Sequence, residues 1–224
     1  MSKTLMLIDG SSLIFRAFFA LPNLTNNDGV MTNGVYGFLI MYQNAFDKYN
    51  PDLVLVAFDR SSKTFRHEQF KDYKATRDKM PSELGYQFGI LKDILDSMKV
   101  SYTDLDGFEA DDIVGTYAQM GQQEGYEVVI ITGDRDYLQL VDDNITVYLT
   151  KKGISDMAEY TVNTIKDEYG LRPKQLIDVK GLEGDKSDNI PGVDGIGPKK
   201  ARDFIQKYGS IEELYEHIDE VTGK

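Results

Sequence analysis

Acidic residues that follow apolar runs are the residues of this sequence best suited to chemistry. Asp9 follows the run LMLI, Asp59 follows LVLVAF, and Asp134 follows VVIIT after one glycine. Short apolar runs of this kind are typical of strands buried in a parallel sheet. Because sites in such sheets form beyond the carboxyl ends of the strands, we expect the three carboxylates to meet at one edge.

The stretch of residues 107–136 brings further acids to this edge. Three of them stand at the start of a predicted helix: Glu109, Asp111 and Asp112. Residues i and i+2 of an extended segment point to the same face, so Asp134 and Asp136 are expected to leave the strand end together. The sequence places no Lys or His beside each acid, and crowded carboxylates resist ionisation unless a cation joins them. The pattern therefore predicts a divalent metal site.

Each acid taken alone also has an ordinary structural explanation. Asp and Glu favour the first turn of a helix, where N–H groups are free, and Asp is common in turns. The prediction of a metal site therefore depends on the number of acids that the pattern brings to the same edge of the sheet. The sequence has no cysteine and two isolated histidines, which excludes a thiolate site and argues against a histidine-based zinc site. Oxygen ligands for a hard cation remain.

The net charge of −12 argues at face value against a nucleic-acid partner, but the charge is unevenly distributed. Residues 60–79 carry seven Lys or Arg against three acids, interleaved with Phe65, Phe70 and Tyr73. In isolation such a segment is most often a solvated loop. Beside an acidic metal centre it suits phosphate contact and base stacking, so we predict that Arg66 and Tyr73 contact nucleic acid.

Residues 185–202 form a second candidate site. Asp185 and Asp188 are spaced i, i+3, so they can share a face on one helical turn. Three glycines then lead into a predicted helix with three basic residues: Gly192, Gly195, Gly197, Lys199, Lys200 and Arg202. A glycine turn before a helix N-terminus offers free N–H groups and a positive dipole end to a phosphate. A plain connector would also fit the glycines, but the basic residues favour binding to the nucleic-acid backbone.

The remaining pattern predicts an α/β fold. Apolar runs at residues 4–8, 52–58 and 143–150 are predicted strands, and residues 34–49 and 82–99 are predicted helices. Alternating strands and helices indicate a mostly parallel central sheet flanked by helices. No stretch approaches the ~20 apolar residues of a membrane span, and the first apolar run is too short for a signal peptide. The absence of cysteine fits the cytoplasm.

Five stretches carry a resemblance to a known family. In chain order they are LIDGSSLIFRAF, AFDRSSKTFRHEQFKDYKATR, GFEADDIVGTYA, TGDRDYLQL and GDKSDNIPGVDGIGPKKA. Together they resemble the 5′-nuclease family of flap endonucleases, phage 5′-exonucleases and the N-terminal domain of bacterial DNA polymerase I, and most closely the last group. The resemblance implies a PIN-like nuclease core at residues 1–170, with a helical arch near residues 72–105. It also implies a helix–hairpin–helix DNA-binding subdomain, truncated at its C-terminus, at residues 171–224.

The resemblance also implies roles for individual residues. Two Mg²⁺ ions, for which Mn²⁺ would substitute, would be held by nine carboxylates: Asp9, Asp59, Glu109, Asp111, Asp112, Asp134, Asp136, Asp185 and Asp188. Arg16, Lys74 and Arg77 would serve as catalytic cations near the scissile phosphate, with Tyr73 beside the 5′ strand. The segment PGVDGIGPKKA would grip duplex backbone and hold K⁺ on its main-chain carbonyls.

These features together predict a structure-specific nuclease. It would hydrolyse DNA phosphodiesters at 5′ ends, nicks and flaps by a two-metal-ion mechanism, and the resemblance implies a role in Okazaki-fragment processing and excision repair. We expect a monomer at the nucleoid, with RNA of RNA–DNA hybrids as a further partner and no polymerase activity. Two alternatives remain open. The duplex-binding element argues against a PIN-type ribonuclease, and the complete acid set argues against a non-catalytic DNA-binding module.

Overall fold

The computed structural model describes residues 2–60 and 62–221 of the chain. The strands in this part are β1 (Thr4–Asp9), β2 (Leu53–Ala57), β3 (Ser101–Thr103), β4 (Glu127–Thr132), β5 (Ile145–Lys152), β6 (Asp156–Tyr160), β7 (Gly184–Asp185) and β8 (Ile190–Pro191). The α-helices are α1 (Gly10–Ala20), α2 (Asn33–Tyr49), α3 (Phe65–Gln69), α4 (Ser82–Met98), α5 (Ala110–Gln123), α6 (Val162–Tyr169), α7 (Gln175–Glu183), α8 (Pro198–Tyr208) and α9 (Ile211–Glu216). Arg135–Leu140 and Ile218–Glu220 are 3-10 helices.

Six strands form one sheet in the order β3-β2-β1-β4-β5-β6. All neighbouring strands are parallel except β5 and β6, which are antiparallel. The chain builds outward from β1 through β2 and β3, then returns to place β4 on the other side of β1. The carboxyl ends of β1 and β4 therefore flank the point at which the strand order reverses, where α/β sheets form their sites.

Helices cover both faces of the sheet, because successive side chains of each strand point to opposite faces. Met6 and Ile8 pack with α1, α2 and α4 on one face. Leu5 and Leu7 pack with α5 and α6 on the other. The predicted mostly parallel sheet flanked by helices is confirmed. No helix in the described residues is long and apolar enough to cross a membrane.

The chain beyond residue 170 has a small core of its own. Leu182 of α7, Ala201 and Ile205 of α8 and Leu214 of α9 are buried together. Strands β7 and β8 form an antiparallel pair between α7 and α8, which gives a helix–hairpin–helix arrangement. The subdomain was predicted for residues 171–224, of which the last three lie outside the described residues.

Several short elements had not been predicted from the sequence. Strands β3, β7 and β8 have two or three residues each, too few for an apolar pattern to reveal. The arch predicted near residues 72–105 stays a prediction, although the second half of that range packs against the sheet. Residues 101–103 are a strand of the sheet, and α4 buries Leu84, Leu91 and Leu95 on the sheet because they recur at helical spacing.

Candidate metal centre

Carboxylates predicted to be metal ligands line one cavity of about 410 Å³ at the carboxyl edge of the sheet. Seven of the nine line it directly: Asp9, Asp59, Glu109, Asp111, Asp134, Asp136 and Asp188. Asp185 lines the adjoining cleft together with Asp136 and Asp188. Asp112 lies behind the edge, beside Asp111. The predicted meeting of Asp9, Asp59 and Asp134 at one edge is confirmed.

Asp9 is the buried centre of this cavity. It ends β1 and caps α1, accepting a hydrogen bond from the Ser12 backbone N–H at 2.9 Å. The Thr132 hydroxyl, at the end of β4, donates to its second oxygen at 3.1 Å. Burial, with the nearby carboxylates of Asp59 and Asp134, raises the pKa of Asp9 to about 7. An anion held in such surroundings is stabilised by a neighbouring cation.

Asp59 connects β2 to the start of α5. Its backbone N–H donates to the Ser11 hydroxyl at 2.8 Å, and its carboxylate accepts from the Ala110 backbone N–H at 2.8 Å. The second contact uses one of the free N–H groups at a helix N-terminus. Asp59 therefore fixes the helix that carries Asp111 and Asp112 against the sheet edge.

Asp134 and Asp136 do not leave the strand end in an extended segment, so that part of the prediction is wrong. The chain turns into the 3-10 helix Arg135–Leu140, and Asp134 caps it by accepting from the Asp136 N–H at 2.9 Å. Both side chains nevertheless line the cavity. Loss of solvent, together with the Asp136 carboxylate, raises the pKa of Asp134 above its usual range.

Cations from distant segments neutralise several of the acids, although the sequence places no Lys or His next to them. Arg66 makes a bidentate pair with Asp112 at 2.7 and 2.8 Å. The Lys74 ammonium lies 2.8 Å from Glu109. These partners are separated by 46 and 35 residues in sequence, so adjacency along the chain could not reveal them. The Arg66 guanidinium pairs with Asp112 and also lines the cleft that adjoins the cavity.

Hydrogen bonds and an ion pair connect the segment between α3 and α4 to the loop between β7 and β8. Tyr73 is buried, with its hydroxyl 2.9 Å from Glu109 and 3.1 Å from Asp188. The Lys74 backbone N–H donates to the Asp188 carbonyl at 2.9 Å, and Arg77 pairs with the Asp188 carboxylate. Its ring lies inside the protein in this conformation, so the contact of Tyr73 with a 5′ strand stays a prediction.

Arg16 is not among the residues that line the cavity. One guanidinium nitrogen donates to the Thr150 carbonyl of β5 at 3.2 Å, and the side chain is half-buried. Its role near the scissile phosphate stays a prediction.

Lys180 of α7 is a site residue that sequence reasoning missed. Its ammonium lies 2.8 Å from Asp136 and 2.8 Å from Asp185. The pair with Asp136 spans 44 residues, and nothing in the local sequence around Lys180 signals the contact. Asp185 itself lies on β7 rather than on the predicted helical turn, and its carboxylate also accepts from the Ser187 hydroxyl at 2.7 Å.

The glycines before α8 have different surroundings. A side chain on Gly192 would lie 2.3 Å from the Glu183 carbonyl, so this glycine permits close packing of backbones. Gly195 has a φ of +76° and open space around it, and open space also surrounds Gly197 at the cap of α8. Lys199 is exposed, while the Lys200 ammonium folds back to the Gly195 carbonyl at 3.1 Å.

The carboxylates lie close together in the cavity, but they are not arranged around a common point as the ligands of one metal ion. Within residues 2–60 and 62–221, no group of three or more acidic, His or Cys side chains is arranged to hold one metal ion. The ion pairs of Lys74 and Lys180 draw Glu109, Asp136 and Asp185 toward ammonium groups instead. The donors still fit a hard cation, because they are all oxygens and the buried Asp9 carries no ion pair in this part of the chain.

Comparison with known proteins places this arrangement in a family. The model described as "5'-3' exonuclease, N-terminal resolvase-like domain" matches residues 4–170, and "5'-3' exonuclease, C-terminal SAM fold" matches residues 171–224. The chain belongs to the 5′-3′ exonuclease family. As the resemblance implied, it is a 5′-nuclease domain with a resolvase-like, PIN-type core and a C-terminal helical domain.

Curated relatives support this membership. The chain is 49% identical to DNA polymerase I of Bacillus caldotenax over 224 residues, which is 100% of this chain and 26% of the relative. It is 49% identical to DNA polymerase I of Bacillus subtilis (strain 168) over 222 residues, which is 99% of this chain and 25% of the relative. The chain thus spans about a quarter of the length of these relatives.

Solved structures share the fold. A bacteriophage T5 flap endonuclease variant, crystallised with DNA and metal ions, matches with a TM-score of 0.78 and 25% identity over 99% of this chain and 81% of that chain. The Rad2 catalytic core bound to a DNA substrate matches with a TM-score of 0.61 and 18% identity over 100% of this chain and 70% of that chain. The second similarity concerns the fold alone.

Proposed function

We propose that this domain hydrolyses DNA phosphodiesters at 5′ ends, nicks and flaps, with Mg²⁺ ions held at the carboxyl edge of the sheet. The observation that carries the proposal is the buried Asp9 carboxylate, crowded by Asp59 and Asp134 at the switch point of the sheet. Such crowding raises the free energy of the metal-free site. A bound cation would relieve it.

The nine carboxylates would divide between two ions. Those nearest the ends of β1 and β2 and the start of α5 would hold the first: Asp9, Asp59, Glu109, Asp111 and Asp112. Those nearest the 3-10 helix and the β7–β8 loop would hold the second: Asp134, Asp136, Asp185 and Asp188. When bound, these ions supply Lewis acidity at the scissile phosphodiester. Mn²⁺ is expected to substitute, since oxygen donors suit both ions.

Lys74 and Arg77 would act on the phosphate once the carboxylates have other partners. In this structure each side chain is paired with an acid, Glu109 for Lys74 and Asp188 for Arg77. Both side chains line the acidic cavity, so a phosphate in the cavity lies within their reach. Positive charge aimed at the developing negative charge of the phosphate lowers the barrier to hydrolysis.

The C-terminal subdomain would hold the duplex by its backbone. Gly195 and Gly197 precede the N-terminus of α8 in open space, where the free N–H groups and the helix dipole favour a phosphate. Lys199 and Lys200 add positive charge at the same helix end, and the loop carbonyls are the proposed place for K⁺. Backbone contacts carry no base information, so we expect selection of DNA structure rather than sequence.

Cleavage of a 5′-labelled flap duplex tests this function. We expect short 5′ fragments with Mg²⁺, none with EDTA, and loss of cleavage with retained binding in Asp134→Asn. The matched control is Asp143→Asn, an exposed acid just before β5 at the opposite end of the sheet, which should cleave like the unchanged protein. Full activity in Asp134→Asn would contradict the proposed metal centre. Preference for RNA over flapped DNA would favour a ribonuclease instead.

A further inference from the structure

Lys180 joins two acids that lie on separate parts of the fold. Its ammonium is 2.8 Å from Asp136 in the 3-10 helix of the nuclease core and 2.8 Å from Asp185 on β7 of the C-terminal subdomain. The Asp185 side chain is only 11% exposed, whereas those of Lys180 and Asp136 are about 40% exposed. Lys180 therefore pairs with one carboxylate that is shielded from solvent, Asp185, and with one that is partly exposed, Asp136.

The two carboxylates that Lys180 contacts are both assigned, in the function proposed above, to the same divalent ion. The Lys180 ammonium holds Oδ1 of Asp136 and Oδ2 of Asp185, and the other oxygen of Asp185 accepts from Ser187, so a divalent cation competes with the lysine for these oxygens. Lys74, by contrast, pairs with a single acid, Glu109. Because Lys180 bridges Asp136 and Asp185, competition for an ion at these acids is coupled to a contact between the core and the C-terminal subdomain.

We propose that Lys180 is an internal counter-cation, which holds Asp136 and Asp185 in the metal-free protein and must be displaced before a divalent ion binds them. This inference rests on the proposed metal centre. Two consequences follow from it. The lysine lowers the affinity for the ion, since its ion pairs are lost on binding. It also stabilises the metal-free fold, since without it the two carboxylates lose their cation.

The test removes the charge of Lys180 and measures metal binding without any substrate. Lys180→Met keeps much of the aliphatic stem of the side chain and removes the ammonium. The control is Lys186→Met, which removes the same charge from an exposed lysine next to Asp185. Lys186 has no ion pair in the described part of the chain, so this variant measures the effect of net charge alone.

Isothermal titration with Ca²⁺ gives the first readout. For two half-exposed ion pairs, we expect Lys180→Met to bind the ion about tenfold more tightly than the unchanged protein. Lys186→Met should change the affinity by less than about twofold at 0.15 M salt, because exposed charges are screened. Unchanged or weaker binding in Lys180→Met would overturn the inference. Absence of binding by the unchanged protein would instead overturn the metal centre itself.

Thermal unfolding gives the second readout and separates competition from a merely structural role. We expect Lys180→Met to lower Tm in EDTA and to recover that loss at saturating Ca²⁺. An equal loss of Tm in both conditions would contradict the inference. If Lys180→Met does not fold, the same measurements on Lys180→Gln replace it. If neither variant folds even with Ca²⁺, Lys180 is required for the fold. The proposal that it competes with a divalent ion for Asp136 and Asp185 is then refuted.

Discussion

Replacing Tyr73 with phenylalanine would remove the hydroxyl that lies between Glu109 and Asp188 and leave the ring in place. The side chain is 5% exposed, and its hydroxyl lies 2.9 Å from Glu109 and 3.1 Å from Asp188. A phenol has one proton, so it donates to one of these acceptors at a time. The substitution Tyr73→Phe therefore removes one hydrogen bond to a carboxylate without opening a cavity.

The size of the effect follows from what the carboxylates retain. A hydrogen bond to a charged group contributes about 1.5–3 kcal/mol. Glu109 keeps the Lys74 ammonium at 2.8 Å, and Asp188 keeps its pair with Arg77, so each carboxylate retains a cationic partner. We therefore expect the low end of the range, a loss of about 1.5 kcal/mol in the free energy of unfolding. For a chain of this size that lowers Tm by about 3–6 °C.

Urea unfolding in EDTA measures this loss, with thermal unfolding as the second measurement. The midpoint should fall while the slope stays unchanged, because the surface exposed on unfolding is the same. The control is Tyr117→Phe on α5, where the tyrosine is 42% exposed and the substitution should cost less than about 0.5 kcal/mol. If the two variants were equally stable, Tyr73 would not be holding the acids of the β7–β8 loop and α5 together.

Two further predictions concern the acid centre and the hairpin. Because the pKa of Asp9 is raised to about 7 in the fold, its ionisation destabilises the metal-free protein increasingly as pH rises from about 4 to 7. Asp9→Asn should therefore stabilise the protein by up to about 4 kcal/mol at pH 7 in EDTA and hardly at all at pH 4. Urea unfolding at the two pH values measures this, and equal gains at both would refute it. Gly192→Ala would place a methyl group 2.3 Å from the Glu183 carbonyl and should cost about 1–3 kcal/mol. Gly197→Ala, in open space at the cap of α8, should cost less than about 1 kcal/mol, and equal Tm losses would contradict the close packing.

The placement of the acid centre could be predicted from sequence because its causes are local. Each of the runs that end before Asp9, Asp59 and Asp134 forms a short strand, and the three strands pair in parallel through β1. Parallel strands bring their carboxyl ends to one edge, so the position of an acid in sequence becomes its position in space. The helix that begins after Glu109 is equally local, with its capping box formed by Glu109 and Asp112.

The partners of these acids were decided by the tertiary structure. Tyr73 meets Asp188 across 115 residues, and Lys180 meets Asp136 across 44. Such contacts depend on how α7 and the β7–β8 loop pack against the nuclease core, which propensity and periodicity over a few residues do not encode. The turn of Asp134 and Asp136 into a 3-10 helix likewise replaced an extended segment of the same sequence. The sequence alone therefore determined which edge of the sheet carries the acids, and the packing of the two subdomains determined which cations and hydroxyls hold them there.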